Sequence, residues 1–256
     1  MQNEYNSPYK IYPAGSGPSP LGFSRFNNSP WKSSGPLVSC LMVTRGKMDL
    51  VRNSYTSFQD QNYINKELII VCDAVSEELM ELAKNDNRVL LVNAPQGLKL
   101  GDLRNLSVSK SRGEFVCQWD DDDLFDPARI SMCVNILIES SASALFLNRW
   151  LMHWSQKDIF CISGYRVWEG SMMAKRSVIP VYPSLVKSED SILVDWIIKN
   201  HTIVLLDCPR LYLYRVTGSN TWDENHFNKL FDAATKKYTQ DEVDELRKLP
   251  CLKYLK

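Results

Sequence analysis

Gly113–Pro127 reads Gly-Glu-Phe-Val-Cys-Gln-Trp-Asp-Asp-Asp-Asp-Leu-Phe-Asp-Pro. Phe115–Trp119 is a short apolar run of β-prone residues, which predicts a buried strand. It ends in four consecutive carboxylates, Asp120–Asp123. Beyond them Asp126 is expected to cap a helix, with Pro127 in its first turn and the helix running over 127–139. The acidic run thus falls on a tight turn at the carboxyl end of a central strand, the edge at which open α/β sheets bind ligands.

Adjacent carboxylates repel, and a fold tolerates them best where a cation neutralises them. Oxygen-only ligands suit Mg²⁺ or Mn²⁺, held by one or two carboxylates and completed by substrate phosphates. The plainer alternative is a solvated acidic turn. The placement between a buried strand and a capped helix favours a metal–phosphate site. A calcium loop of the EF-hand kind is disfavoured, because no Gly occupies its sixth position and the flank is a strand.

The rest of the chain fits a globular protein. It has 256 residues, 44% hydrophobic and 23% charged, enough for one large domain. Formal net charge is zero, so nothing points to a nucleic-acid partner. Seven cysteines are scattered without a Cys-x-x-Cys pair, which predicts reduced thiols in a cytosolic compartment. There is no long apolar run, and the first residues lack a signal-peptide core. The expectation is a soluble or peripheral protein.

Residues 1–35 are rich in Pro, Gly, Ser and Asn and read as an irregular arm. From Pro36 onward strands and helices alternate. Strands are expected at 37–43, 67–72, 88–92 and 115–119, with helices at 48–59, 76–86, 102–111 and 127–139. This predicts an α/β fold with a mostly parallel central sheet flanked by helices. Neither GxGxxG nor GxxxxGK[ST] is present, so a nucleotide would be held some other way. Further on, 144–150, 158–162, 165–173, 202–207 and 211–215 read as strands. Ser188 reads as the cap of a helix opening with Glu189 and Asp190. A last amphipathic helix is expected over 224–238, ahead of a charged, partly helical tail. The chain divides into an arm (1–35), a first half (36–126), a second half (127–238) and a tail (239–256).

Taken together, these pieces resemble the family 2 glycosyltransferases of the GT-A fold, from about Pro36 to about Phe231. Residues 36–44 are similar to the family's opening strand, and Glu67–Asp73 to its second strand, whose terminal Asp contacts the nucleobase. Cys72 stands where a second acid is usual, and the loop Thr44-Arg45-Gly46 lacks the aromatic often seen there. Leu103–Ser107 and Arg112–Phe115 resemble the segments leading into the metal motif, and Trp119–Phe125 the Asp-x-Asp-Asp site. Ser188-Glu189-Asp190 resembles the acidic pair holding the catalytic base. Gly218–Trp222 with His226-Phe227 resembles a C-terminal signature.

The resemblance implies roles residue by residue. Asp120 and Asp122 match the Asp-x-Asp acids, with His226 as a further ligand to Mn²⁺ or Mg²⁺. Thr44, Arg45, Asp73, Arg104, Asp120, Asp121, Asp123 and Trp222 fall among the donor-binding positions. Within that set Asp123 would orient the donor sugar or a water, Arg104 would pair with phosphate oxygens, and Trp222 would close over the donor. Asp121, projecting to the other side of the turn, also reads as structural. The catalytic base falls on Asp190, with Glu189 as second candidate. The plainer readings are a helix cap for Asp73, a surface ion pair for Arg104, and a structural or surface His226. Trp150, Trp154 and Trp168 are expected in the core rather than stacked on an acceptor sugar.

The expected function is therefore metal-dependent, inverting transfer of a sugar from a nucleotide-diphosphate donor, UDP-sugars favoured, in polysaccharide biosynthesis. The acceptor would be a glycan or a lipid-linked glycan. The expected place is the cytoplasm, with peripheral contact at the inner face of a membrane. The competing classes are a nucleotidyltransferase, for which Thr44–Lys47 is a poor triphosphate loop, and an inactive carbohydrate-binding domain.

Overall fold

The computed structural model describes residues 9–16, 31–218, 220–253 and 255. The first half follows the expected alternation: β2 (Val38–Thr44), α1 (Met48–Gln59), β3 (Lys66–Cys72), α2 (Glu77–Lys84), β4 (Val89–Asn93), α3 (Leu100–Lys110) and β5 (Phe115–Gln118). β3 is buried along its whole length, as a strand covered on both faces should be. Its two charged residues are satisfied at its entrance. Lys66 Nζ donates to the carbonyls of Gln61 and Tyr63, and Glu67 accepts from Ser39 Oγ and Arg112.

The second half adds β6 (Leu124–Phe125), α4 (Arg129–Ser140), β7 (Ala144–Leu147), β8 (Leu151–Trp154), β9 (Ile159–Ile162) and β10 (Trp168–Lys175). It continues with α5 (Glu189–Asn200), β11 (Ile203–Leu206), β12 (Tyr212–Val216), α6 (Glu224–Asp232), β13 (Lys236–Lys237) and α7 (Gln240–Leu246). With β1 (Tyr9–Tyr12), eight strands form the main sheet in the order β1-β11-β7-β10-β5-β2-β3-β4. The β11–β7, β5–β2, β2–β3 and β3–β4 pairings are parallel. β10 runs antiparallel between β5 and β7, so Met173 lies opposite Cys117. A smaller second sheet has the order β13-β9-β8-β12-β6. One continuous core reaches from Val38 to Phe231.

Several expectations are corrected. Within the arm, Tyr9–Tyr12 extends the main sheet antiparallel to β11; residues 1–8 and 17–30 lie outside the described residues. The helix after the acidic run starts at Arg129, not Pro127. Asp126 Oδ1 accepts from Ala128 N, while Gln61 Oε1, reaching across from the end of α1, receives the helix's Ile130 N–H. The expected strand 144–150 breaks at Leu147, because Asn148–Trp150 carry the chain into β8 in the second sheet. The helix from Glu224 stops at Asp232, since Lys236–Lys237 pair with β9. Ser188 makes no side-chain cap; its φ is +61° and it turns the chain sharply into α5.

α3 meets the segment before α5 at Gly101. A Cβ there would stand 1.9 Å from the Pro183 carbonyl oxygen, and Gly101 N donates to Leu185 O. On an open helix Gly→Ala gains about 1 kcal/mol. Here the sign should reverse: Gly101→Ala is expected to destabilise by about 1–3 kcal/mol through overpacking. Chemical denaturation checks this, and a more stable Gly101→Ala would refute the close approach.

Candidate functional site

Trp119 closes β5 and anchors the acidic turn. It is fully buried, donates Nε1–H to Ser54 O at 3.2 Å and packs on Phe125 at 4.0 Å between ring centroids. Beyond it the four carboxylates diverge, each toward a different element. Asp120 Oδ1 accepts from Gln118 Nε2 at 2.8 Å and lies 3.6 Å from Arg104 Nη1. Asp121 Oδ2 accepts from Thr44 Oγ1 at 2.5 Å. Asp122 Oδ2 accepts from Asn220 Nδ2 at 2.9 Å. Asp123 is 1% exposed and accepts from the Tyr212 hydroxyl and, at 2.9 Å, from Arg215 N.

Burial, reinforced by the neighbouring carboxylates, raises Asp121 to about 6 and Asp122 to about 7, and pushes Asp123 well above its ordinary range. Three acids thus resist ionisation unless positive charge arrives.

Arg104 ties this turn to the second half. It is buried on α3, and its Nε donates to Glu189 Oε1 at 2.7 Å while Nη1 faces Asp120. The ion pair is internal, not on the surface. Glu189, 1% exposed, is committed to Arg104. Asp190 is half-buried, and its Oδ1 accepts from Ser191 N at 2.8 Å. Ser191 Oγ in turn donates to Glu169 on β10 at 3.1 Å.

The other expected residues lie around this centre. Thr44 is buried, and Arg45 beside it is exposed. Gly46, at φ +77°, lets that loop pass the loop after β3, where a Cβ would stand 3.2 Å from Ala74 O. Asp73 leaves the end of β3, and Ser76, not Asp73, caps α2. Trp222 is partly exposed, with Lys187 Nζ 5.1 Å from its ring centroid, and it stacks on His226 at 4.6 Å. Among the described residues no group of three His, Cys, Asp or Glu side chains is placed to hold a metal ion. Trp150 and Trp154 are buried in the core, and Trp168 is partly buried and stacked on Trp150 at 4.3 Å.

Arg215 and Tyr212 carry no expected site role from the sequence, and Asn220 enters there only as part of the Gly218–Trp222 signature. Asn220 accepts from Thr217 N at 2.8 Å and donates to Arg215 O at 2.9 Å, which holds the end of β12 and Thr217 beside Asp122. Arg215 follows Tyr214 on β12, and its buried Nε and Nη1 have no hydrogen-bond partner among the described residues. Burial lowers its pKa against the pull of Asp123, Asp122 and Asp49. Two unpartnered guanidinium nitrogens beside two acids fit an anionic ligand joined to those acids by a cation. The oxygens left on Asp120 and Asp122 fit a hard divalent ion that takes only one or two carboxylates from the protein.

The raised acids make stability depend on pH. Below about 4 they are protonated in both folded and unfolded chains. Between there and about 7 the folded chain keeps protons that the unfolded chain releases, so stability falls as pH rises. Asp122→Asn should remove much of that slope and raise metal-free stability above pH 7 by on the order of 1–3 kcal/mol. Thermal unfolding in chelator, read across that window, checks it; an unchanged profile would contradict the burial of Asp122's charge.

Residues 39–158 match the family model described as glycosyl transferase family 2. An Escherichia coli K12 protein named for colanic acid biosynthesis, glycosyl transferase WcaA, is 26% identical over 156 residues, 59% of this chain and 50% of that one. The Bacillus subtilis 168 protein named glycosyltransferase EpsH is 33% identical over 96 residues, 36% of this chain and 28% of its own. This chain thus spans half or less of those relatives. Among solved structures, S. aureus TarS 1–349 in complex with UDP-GlcNAc superposes with a TM-score of 0.61 at 14% identity, covering 75% of this chain and 64% of that one. The mannosyltransferase PcManGT from Pyrobaculum calidifontis, in complex with GDP-Man and Mn²⁺, gives 0.55 at 15% identity, covering 76% of this chain and 62% of that one. Residues 39–158 are thus similar to glycosyl transferase family 2, and the chain takes the GT-A fold of these solved glycosyltransferases.

Proposed function

We propose that this protein transfers a sugar from a nucleotide-diphosphate donor to a glycan or lipid-linked acceptor, with inversion, in polysaccharide biosynthesis. The observation that carries the reading is the Arg104 bridge from Asp120 to Glu189, which sets the start of α5 beside the acidic turn. The UDP-GlcNAc in TarS and the GDP-Man with Mn²⁺ in PcManGT support a nucleotide sugar and a divalent ion. UDP is the nucleotide we favour, with Asp73 accepting from the base.

Mn²⁺ or Mg²⁺, when bound, neutralises the charge developing on the leaving diphosphate. Asp120 and Asp122 would hold it, and the free Nε and Nη1 of Arg215 would take phosphate oxygens. Asp121 and Asp123, held by Thr44 and Tyr212, fix the turn's shape rather than touch the donor. His226 and Trp222, stacked together, would cover the donor.

Glu189 is spent on Arg104, so the base role falls to Asp190. Its carboxylate takes the proton of the acceptor hydroxyl. That oxygen bonds to the anomeric carbon from the face opposite the diphosphate. The bond from the anomeric carbon to the phosphate oxygen breaks, and the nucleoside diphosphate leaves with the electron pair.

Calorimetry should show UDP and Mn²⁺ strengthening each other's binding. Asp190→Asn should bind donor as the parent does and lose about 10²–10⁴ in transfer. UDP affinity indifferent to Mn²⁺ would sink the shared site, and full transfer by Asp190→Asn would remove it as the base.

A further inference from the structure

β12 carries Tyr212 and Tyr214 two residues apart, on one face of the strand. Tyr212 is buried and donates its hydroxyl to Asp123, and the same oxygen lies 3.5 Å from Asp120 Oδ2. Tyr214, further along, is partly exposed. Its hydroxyl has no hydrogen-bond partner among the described residues, and it is not sealed from solvent as the indole nitrogens of Trp150 and Trp168 are.

The Tyr214 ring is held from two sides. Trp168 of β10 meets it edge-on at 5.1 Å between centroids, and Phe227 of α6 lies at 6.3 Å. Trp168 is itself stacked on Trp150, and Gly170 leaves it room, since a Cβ there would stand 3.1 Å from the Trp168 Nε1. Both flanking elements lead to the site. Glu169, next to Trp168, accepts from Ser191 Oγ, beside Asp190. His226, next to Phe227, stacks on Trp222. The tip of Tyr214 is thus held between the acidic turn, the start of α5 and the Trp222–His226 pair. Burial, and then the charges of Asp123, Asp122, Asp120 and Asp190, raise its hydroxyl well above the ordinary tyrosine range. It therefore stays neutral and keeps a proton to donate.

A neutral donor in that place suits a neutral partner. In the transferase reading the cation and Arg215 meet the diphosphate, and Asp190 meets the acceptor hydroxyl. The sugar being transferred must lie between them, because its anomeric carbon breaks from the one and joins the other. A tyrosine fixed by its ring, with a free hydroxyl, is rigid enough to tell one sugar hydroxyl arrangement from another.

We infer that the Tyr214 hydroxyl hydrogen-bonds a hydroxyl group of the transferred sugar and so selects among sugars carried on the same nucleotide. The inference rests on the transferase reading and adds to it the residue that reads the sugar.

Tyr214→Phe keeps the ring, with its contacts to Trp168 and Phe227, and removes only the oxygen. Calorimetry in Mn²⁺ should compare parent and variant on UDP, UDP-GlcNAc, UDP-glucose and UDP-galactose. The parent should separate the three sugars. The variant should bind UDP as the parent does and lose about three- to tenfold on the parent's preferred sugar, the loss of one hydrogen bond, so that the three affinities converge. Equal losses on UDP and on the sugar nucleotides would overturn the inference, since a nucleotide contact or a disturbed turn would then be the cause. So would unchanged affinities throughout, which would leave Tyr214 a packing residue, or a parent that binds the three sugars alike while binding UDP. A parent that does not bind UDP with Mn²⁺ at all would remove the transferase reading, and this inference with it.

Discussion

Four consecutive carboxylates cannot be packed together, and the fold around Asp120–Asp123 is arranged to keep them apart. Each is drawn to a separate element: Asp120 toward Arg104 of α3, Asp121 toward Thr44 of β2, Asp122 toward Asn220, Asp123 toward Tyr212 of β12. The divergence relieves repulsion and, at the same time, ties the two sheets and both ends of the domain to one turn. The full charge is still not compensated, which is why burial leaves Asp122 near 7. An arriving cation meets groups that must give up protons to bind it, so binding the cation and ionising the acids are linked.

The turn also has a cation behind it. Arg129 is 1% exposed, and its guanidinium lies 4.3 Å from the Phe125 ring centroid and 5.2 Å from that of Trp119, with Tyr212 at 5.0 Å. Its Nη2 donates to the Gln118 carbonyl at 2.9 Å, and Gln118 holds Asp120. This buried guanidinium meets three aromatic rings and one carbonyl instead of a carboxylate. Asp120, Asp121 and Asp122 stay partly exposed at the turn, Asp123 is buried, and a guanidinium lies behind them.

The first half of the fold was legible because its strands and helices are long, periodic and punctuated. Met48–Gln59 follows from the spacing of Val51, Tyr55 and Phe58, and the β3 run of apolar residues from burial on both faces. The acidic turn was legible for the same reason: it breaks a strand. What was not legible depends on distant partners. The start of α4 is set by Gln61 from the end of α1, far along the chain. Arg104 looked like a phosphate ligand or a surface ion pair, because only the fold brings Glu189 to it. Arg215 carried no pattern of its own, and Asn220 only its place in the Gly218–Trp222 signature; their parts appear once β12 is set beside β8 and β6.

The division of Glu189 from Asp190 shows how one residue's fate fixes its neighbour's. Adjacent positions on a helix point about 100° apart, so Arg104 makes its hydrogen bond to Glu189 and not to Asp190, whose charge nevertheless reaches the same guanidinium. Ser188, at φ +61°, sets where this first turn begins. Ser191 then links the turn to Glu169 on β10, and Glu169 is held by Arg166 at 2.5 Å. The start of α5 is thereby gripped from α3 on one side and β10 on the other. A carboxylate that must meet an acceptor oxygen within hydrogen-bond reach needs its backbone fixed more than its side chain. Under the proposed reading, the ion pair that holds Glu189 also fixes the backbone that carries Asp190.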